Sequence, residues 1–255
     1  MALPDRSRRT MFRGALLAYL AALSVLPGLS RSSETAPAPA TEGVDPGALI
    51  RDLTLTRSVD GRLTVAMWMP DEFWRITLKS SGRLTDKAIA DYLATMHPYT
   101  LLAVVDAQRG IASFRYTDTE ALIGEATVED SHGNKYKPLA PDAIAEDVEN
   151  VIQAMRPLLA NMMGAMGQHM EFLVFPGIDK DGHPLADPRS DGSLTLHVGD
   201  VAMRYRLPIG SILPPALDPK TGESFPGSYH FNPYTGGALV QRPADNRAGS
   251  SPKPK

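Results

Sequence analysis

Residues 193–207 read SLTLHVGDVAMRYRL, and this stretch decides the class of fold. On both sides of Gly199-Asp200, apolar side chains alternate with polar ones, which is the pattern of two half-buried strands joined by a tight turn. The same alternation flanks Asp60-Gly61, in the segments 48–56 and 62–69. Strands joined by such short turns pair antiparallel, so the sequence predicts antiparallel sheets.

Further short runs of apolar and β-branched residues are also predicted to be strands. They cover 74–78, 99–105, 111–116, 122–128 and 171–175. Many short strands separated by Gly and Asp turns favour two sheets in a sandwich-like arrangement. We therefore predict an α+β fold that is mainly antiparallel β, sandwich-like, with two helices packed on the sheet.

The two helices are predicted from apolar residues that recur every three or four positions. The first covers 86–96 and follows Thr85, whose hydroxyl suits an N-cap. The second is long and Met-rich and runs from Pro141 to about His169, with Pro157 predicted to kink or divide it. Its apolar stripe consists of Ile144, Val148, Ile152, Met155, Leu159, Met162, Met166 and Met170.

Residues 1–40 are predicted to be a signal peptide and the start of a linker. Basic residues precede the apolar run 14–29, which is shorter than the roughly 20 apolar residues of a bilayer-spanning helix. Arg8 and Arg9 lie in the stretch SRRTMFR, which resembles a twin-arginine signal, although Met11 stands where that family usually has Phe. The resemblance implies export of an already folded protein, and an ordinary secretory signal with an Arg-rich start is the alternative. Either route predicts a periplasmic or secreted protein without a stable membrane span after leader cleavage.

The remaining chain is predicted to divide into three parts: a β-rich globular domain at 41–214, a turn-rich hairpin at 215–240 and a disordered tail at 241–255. The absence of cysteine excludes disulfides, thiolate catalysis and thiolate metal ligands. The net charge is −3 and each end of the chain carries about +3, so the part between them carries about −9. This acidic body argues against nucleic acid as a partner.

Met162, Met166, His169 and Met170 fall on one face of the second predicted helix. Thioether sulfur and imidazole are ligands that suit Cu(I), so this face is a candidate copper site in an exported protein. The alternative is a buried face, because Met is a flexible core residue and the stripe continues one of Ile and Leu.

The stretches DPKTG at 218–222 and NPYTG at 232–236 share the frame x-P-x-T-G. The pair resembles the two C-P-x-C-G knuckles of a zinc ribbon, with Asp218, Thr221, Asn232 and Thr235 in place of the four cysteines. Without thiolates the family's zinc is not carried over to this chain. Asp218 and Asn232 are instead expected to accept hydrogen bonds from the turn amides, and two unrelated turns are the alternative.

No catalytic motif stands out: G-x-S-x-G, H-x-H and H-E-x-x-H do not occur, and the calcium-loop order fails after Asp179, which indicates a turn there. Trp68, Phe73 and Trp74 are either core anchors or the lining of a sugar or peptide groove.

The leading hypothesis is a non-catalytic binding or assembly module of the cell envelope, whose partner is an envelope protein or a small ligand. The alternatives are a periplasmic copper-binding protein and a hydrolase whose carboxylates meet only in the fold.

Overall fold

The structure, a computed structural model, describes residues 44–241 except Ala112, and it leaves out the side chains of Leu158 and Met162. The described helices are α1 (Pro46–Leu53), α2 (Asp71–Ser80), α3 (Asp86–Met96), α4 (Thr119–Glu125), α5 (Glu146–Met163) and α6 (Ala165–Gln168), with 3-10 turns at Pro141–Ala143 and Gly210–Ile212. The described strands are β1 (Thr54–Val59), β2 (Arg62–Trp68), β3 (Tyr99–Arg109), β4 (Phe114–Tyr116), β5 (Ala126–Glu129), β6 (Lys135–Tyr136), β7 (Glu171–Pro176), β8 (Gly192–Val198), β9 (Val201–Leu207), β10 (Ala216–Leu217), β11 (Ser224–Phe225) and β12 (Val240–Gln241).

Two predicted segments lie almost wholly outside the described residues. They are the signal peptide, including Arg8 and Arg9, and the C-terminal tail, of which only Gln241 is described, as the end of β12.

The first sheet is built around β3. One edge of β3 pairs with β2, and the other pairs with β7 near the start of β3 and with β4 near its end. β1 joins β2 through the hairpin turn at Asp60-Gly61, as the sequence predicts. All of these pairings are antiparallel, and the middle of β3, residues 100–107, is buried, as expected of a central strand.

The second sheet has the strand order β6-β5-β8-β9. β8 and β9 form the hairpin predicted from 193–207, in register from Gly192↔Leu207 to Val198↔Val201. Val201, Met203 and Tyr205 are buried, whereas the residues between them are exposed, so the alternation read from the sequence is confirmed. A small third sheet, ordered β11-β10-β12, covers the predicted hairpin segment and includes Gln241, the first residue of the predicted tail.

Tyr205 links the two larger sheets. Its ring lies 5.6 Å from the ring of Trp68, and its hydroxyl donates a hydrogen bond to the carbonyl of Ala66 over 3.0 Å. Buried side chains from both sheets and from helices α1 to α5 belong to one hydrophobic cluster. The coarse prediction of a mixed α+β fold with antiparallel sheets is therefore confirmed.

The prediction of only two helices is wrong, because the described residues contain six α-helices. Residues 74–78, 48–53 and 122–125, predicted as strand, lie in α2, α1 and α4. A short apolar run occurs both in strands and in buried helical turns, so it does not by itself distinguish the two. In these three segments the residues just before the run favour a helix. Asp45 and Asp118 accept hydrogen bonds from the first amides of α1 and α4, and Asp71 and Glu72 open α2 directly after Pro70.

The long helix predicted from Pro141 to His169 is divided. A 3-10 turn at Pro141–Ala143 precedes α5, and Gly164, with φ +58°, separates α5 from the short α6. Glycine is needed for this break because an L side chain is strained at positive φ. Pro157, predicted to kink or divide the helix, does not divide it and lies within α5. The first predicted helix, α3, is confirmed with its cap, since the amide of Ala88 donates to Thr85 Oγ1 over 3.2 Å.

Within residues 44–241, no helix has both the length and the apolar character needed to cross a bilayer.

Candidate functional site

A cavity of about 240 Å³ opens at the start of β3. Three chain segments form its walls: the link from β2 into α2, the α3–β3 junction and the loop that follows β7. The antiparallel register places Tyr99 of β3 opposite Pro176 of β7, so the chain leaving β7 must pass the α3–β3 junction. The lining residues are Trp68, Pro70, Asp71, Glu72, His97, Tyr99, Thr100, Gly177, Pro184, Ala186, Asp187 and Pro188.

Gly177 makes the closest crossing in this wall. Its amide donates to the carbonyl of Pro98 over 2.7 Å. A Cβ atom at this position would lie 2.5 Å from the carbonyl oxygen of His97 and 2.6 Å from the amide nitrogen of Tyr99. Real Cβ atoms do not approach backbone this closely, so the loop can follow this path only with glycine.

Three carboxylates face the cavity, and each has a partner within the protein. His97 Nδ1 lies 2.9 Å from Asp71 Oδ2, and Arg189 Nε donates to Glu72 Oε1 over 2.7 Å. Asp187 accepts hydrogen bonds from the amide of Arg189, over 2.9 Å, and from the hydroxyl of Ser190, over 2.6 Å. These contacts fix the carboxylates in position around the opening.

Thr100 contributes a polar side chain to the wall of the cavity. The residue is only 7% exposed, it lines the cavity, and its hydroxyl forms no hydrogen bond with any residue that the structure describes. The buried side-chain atoms without a partner among the described residues are Asn150 Nδ2 and Ser211 Oγ, so the Thr100 hydroxyl is accessible from the cavity, and a ligand can reach it there. The hydroxyl of Tyr99, by contrast, already accepts from the amide of Ala145 over 3.1 Å.

A second, smaller cavity of about 200 Å³ lies beside Arg62. The Arg62 guanidinium contacts Asp106 at 2.9 Å, Asp200 at 3.1 Å and Glu125 at 3.2 Å. Burial would raise the pKa of Asp106, but hydrogen bonds from Arg62, Thr117 and Thr64 outweigh burial and lower it below the ordinary value. One guanidinium is shared by three carboxylates that come from different elements, so we interpret the cluster as a connection between the two larger sheets.

The Met and His residues of the copper hypothesis are not all on one helical face. Met170 follows the last helix and is buried in the core, while Met166 is half-buried. His169 is exposed and stacks on Tyr116, with ring centroids 3.8 Å apart. The side chain of Met162 lies outside the described part of the structure. Among the described residues, no three His, Asp or Glu side chains come together in a group that could hold a metal ion.

The two predicted knuckles have matching hydrogen bonds. Asp218 Oδ1 accepts from the amides of Lys220 and Thr221, and Asn232 Oδ1 accepts from those of Tyr234 and Thr235. The hydroxyl of Thr221 accepts from the amide of Glu223, and that of Thr235 from the amide of Gly237.

One side-chain contact joins the two knuckles directly. Asn232 Nδ2 donates to Asp218 Oδ2 over 2.6 Å. The amide of Lys220 and the side chain of Asn232 hold the pKa of Asp218 below its ordinary value. The nearby Phe231 and Tyr234 are exposed, whereas Asp218 and Asn232 are themselves buried, so the hydrogen bond between them is shielded from water.

The remaining sequence candidates have structural positions. Trp68, Phe73 and Trp74 are buried, and Trp74 packs edge-on against Tyr92, as core anchors do. Asp179 Oδ1 accepts from the amides of Asp181 and His183, which is a turn contact.

No sequence motif contains the residues that line the cavity at the start of β3. Asp71, His97 and Asp187 each stand beside a proline at the end of an element or in a loop, and this is the one signal they share.

Comparisons of this chain with protein-family models, with curated proteins and with solved structures give no match.

Proposed function

We propose that this chain is an exported protein of the cell envelope and that its β-rich domain is a non-catalytic binding module. The cavity lined by Asp71, His97, Thr100 and Asp187 is its ligand-binding site. The observation that carries this proposal is a concave site whose wall holds the hydroxyl of Thr100, which is accessible from the cavity and lacks a partner among the described residues. In this proposal the two larger sheets pack as a sandwich-like pair, with the cavity at one end.

Binding is favoured over catalysis because two of the three carboxylates of the cavity are held by partners that leave them no role in proton transfer. A hydrolase needs a carboxylate or imidazole placed to activate water or to protonate a leaving group. Glu72 is bound to Arg189 and Asp187 to its own turn. The Asp71–His97 pair is the one arrangement that resembles a general base oriented by a carboxylate, so both residues are replaced in the catalytic test. Groups held in this way suit recognition, since their orientation is set before a ligand arrives.

The ligand site can be tested by a fragment screen on the isotope-labelled full chain, read out by NMR. We expect at least one chemical class to shift the amide resonances of residues 97–100 and 177–188, and Thr100→Val to weaken that binding. The Val side chain has nearly the same shape as Thr, so the variant removes the hydroxyl with little change in packing. If no fragment perturbs these resonances, the cavity is not a ligand site.

Catalysis is tested on the same protein with chromogenic esters, phosphate esters and glycosides. We expect no turnover above the uncatalysed rate. Hydrolysis that disappears in His97→Ala and in Asp71→Asn would contradict the non-catalytic proposal and would favour the hydrolase alternative.

Export is tested by replacing Arg8 and Arg9 together with Lys in a bacterial host that has both export routes. We expect the wild-type chain to be processed and found outside the cytoplasm. Retention of the double variant indicates the twin-arginine route, and unchanged secretion indicates the general route. A wild-type chain that stays intact in the cytosol would contradict export altogether.

A further inference from the structure

We infer that the ligand of the cavity is a small organic cation: an ammonium or guanidinium group on a short apolar body. This inference rests on the proposed function and names the chemical class that the site selects. It depends on the charge of the walls, on their hydrogen-bonding groups and on the volume of the cavity.

The charge of the cavity is negative. Asp71, Glu72 and Asp187 line it, and the basic side chains that contact them among the described residues are Arg189, on Glu72, and His97, on Asp71. Three carboxylates thus face two basic side chains, and Asp187 accepts only from the neutral donors of its own turn, so its charge has no cationic partner there. Partial burial strengthens the attraction of such charges for a cation, because solvent screens them less than on an open surface.

The three prolines of the lining reduce its supply of hydrogen-bond donors. Pro70, Pro184 and Pro188 have no N–H group, so this part of the lining cannot bind an anion through its backbone. The hydroxyl of Thr100, which is accessible from the cavity, can accept a hydrogen bond from a ligand N–H. An ammonium or guanidinium group, which only donates hydrogen bonds, matches this set of groups.

The apolar lining and the volume limit the rest of the ligand. Proline rings and Ala186 offer apolar contact to a short hydrocarbon chain. Trp68 is only 2% exposed, so it offers no open ring face on which a sugar could stack. A cavity of about 240 Å³ is smaller than the sites that enclose drug-sized ligands. The occupant is therefore a small amine or the end of a basic side chain.

The experiment uses four probes of similar size and different charge: n-butylamine, n-butylguanidine, n-butanol and butyrate. Each is titrated into the labelled full chain at pH 7, with the amide resonances of residues 97–100 and 177–188 as the readout. We expect the two cations to bind and the alcohol and the anion to bind at least about tenfold more weakly, since hydrogen bonds to charged groups are the stronger ones. Raised salt should weaken the binding of the cations.

Three variants assign the effect to the cavity. Asp71→Asn and Asp187→Asn are each expected to weaken binding of the cations by about tenfold. Asp91→Asn removes the same charge from the exposed surface of α3, where Asp91 pairs with Lys87, and is expected to leave binding unchanged. Thermal unfolding of each variant shows whether a loss of binding reflects a loss of folding.

The outcomes separate this inference from the proposed function. Binding of butanol or butyrate in the cavity in preference to the cations would overturn the cation inference, while the cavity would remain a ligand site. Absence of binding by all four probes and by every screened fragment would overturn both the cation inference and the proposed function.

Titration with N-acetyl-lysine methylamide shows whether a peptide side chain reaches the site. Tighter binding than n-butylamine indicates that the natural ligand is a basic peptide, and weaker binding indicates that it is a free amine.

Discussion

Arg62 Nε donates to the buried carboxylate of Asp106 over 2.9 Å, at the point where the first sheet approaches the β8–β9 turn of the second. Asp106 is 3% exposed and also accepts hydrogen bonds from the hydroxyls of Thr64 and Thr117. The other end of the same guanidinium contacts Asp200 in that turn. One cation therefore joins β2 and β3 to a turn that lies more than 90 residues further along the chain.

Asp106→Asn is expected to lower the free energy of unfolding by about 2–4 kcal/mol. The substitution removes the one buried carboxylate among the three that contact Arg62, and it places an NH₂ group or a single carbonyl where three donors converge. Urea denaturation at pH 7 measures the change. Asp200→Asn is the matched control, because its side chain is 83% exposed and contacts the same guanidinium; it should change stability by less than about 1 kcal/mol. Equal effects of the two variants would contradict the importance of burial at this contact.

The acid stability of the protein should depend on Asp106. Its pKa is lowered in the folded protein from an ordinary value of 3.8, so the unfolded chain binds the proton more readily. The charged carboxylate therefore stabilises the fold above about pH 3.8, and this contribution is lost as the pH falls through the lowered pKa. Urea midpoints measured from pH 7 down to pH 2.5 should fall more steeply in the wild type than in Asp106→Asn. A residual fall is expected in the variant because Asp130 also has a lowered pKa. Parallel curves would show that Asp106 does not contribute.

Gly177→Ala is expected to destabilise the protein by about 1–3 kcal/mol and to disturb the cavity. The added methyl group would collide with the backbone of His97 and Tyr99, which cannot yield as a side chain can. Thermal unfolding and the amide resonances of residues 97–100 measure the two effects. Gly124→Ala is the control, since nothing lies within 4 Å of its added Cβ and the position is helical. That variant should be unchanged or stabilised by up to about 1 kcal/mol.

Asn232→Ala should open the C-terminal hairpin locally. The variant removes the contact with Asp218 and leaves the amides of Tyr234 and Thr235 without acceptors, so we expect these amides to exchange with solvent at least about tenfold faster. Tyr234→Ala is the control, because that side chain is 81% exposed and its loss should leave exchange unchanged.

The same hairpin should be insensitive to chelators. Its two turns are joined by an amide–carboxylate hydrogen bond where a zinc ribbon has thiolates, so EDTA is expected to leave both the melting temperature and the exchange rates unchanged. A drop in either on EDTA addition, reversed by zinc, would contradict this expectation.

The elements that the sequence predicts well are those whose local signals agree. The β8–β9 hairpin combines alternation with a Gly-Asp turn, and α3 combines helical spacing with a Thr85 cap. α2 was missed as a helix because Trp74, Ile76 and Leu78 also alternate as they would in a strand, and the decisive signal, Pro70 followed by Asp71 and Glu72, precedes that run.

The cavity could not be predicted, for a different reason. Its walls come from residues near 70, 97 and 187, and only the pairing of β3 with β7 brings the last of these beside the other two. No spacing along the chain encodes that register. The knuckles are the opposite case, because both turns and their contact lie within 20 residues and each repeats the same frame.

The cavity can form only after the residues of its third wall have been synthesised. Asp71 and His97 leave the ribosome long before Pro188, which completes the third wall. A nascent or truncated chain ending ahead of Pro188 carries most of the acidic groups and still has no enclosed space for a ligand. If the cavity binds a ligand as proposed, a fragment that ends before Pro188 would lack the site, and occupancy would distinguish finished molecules from fragments.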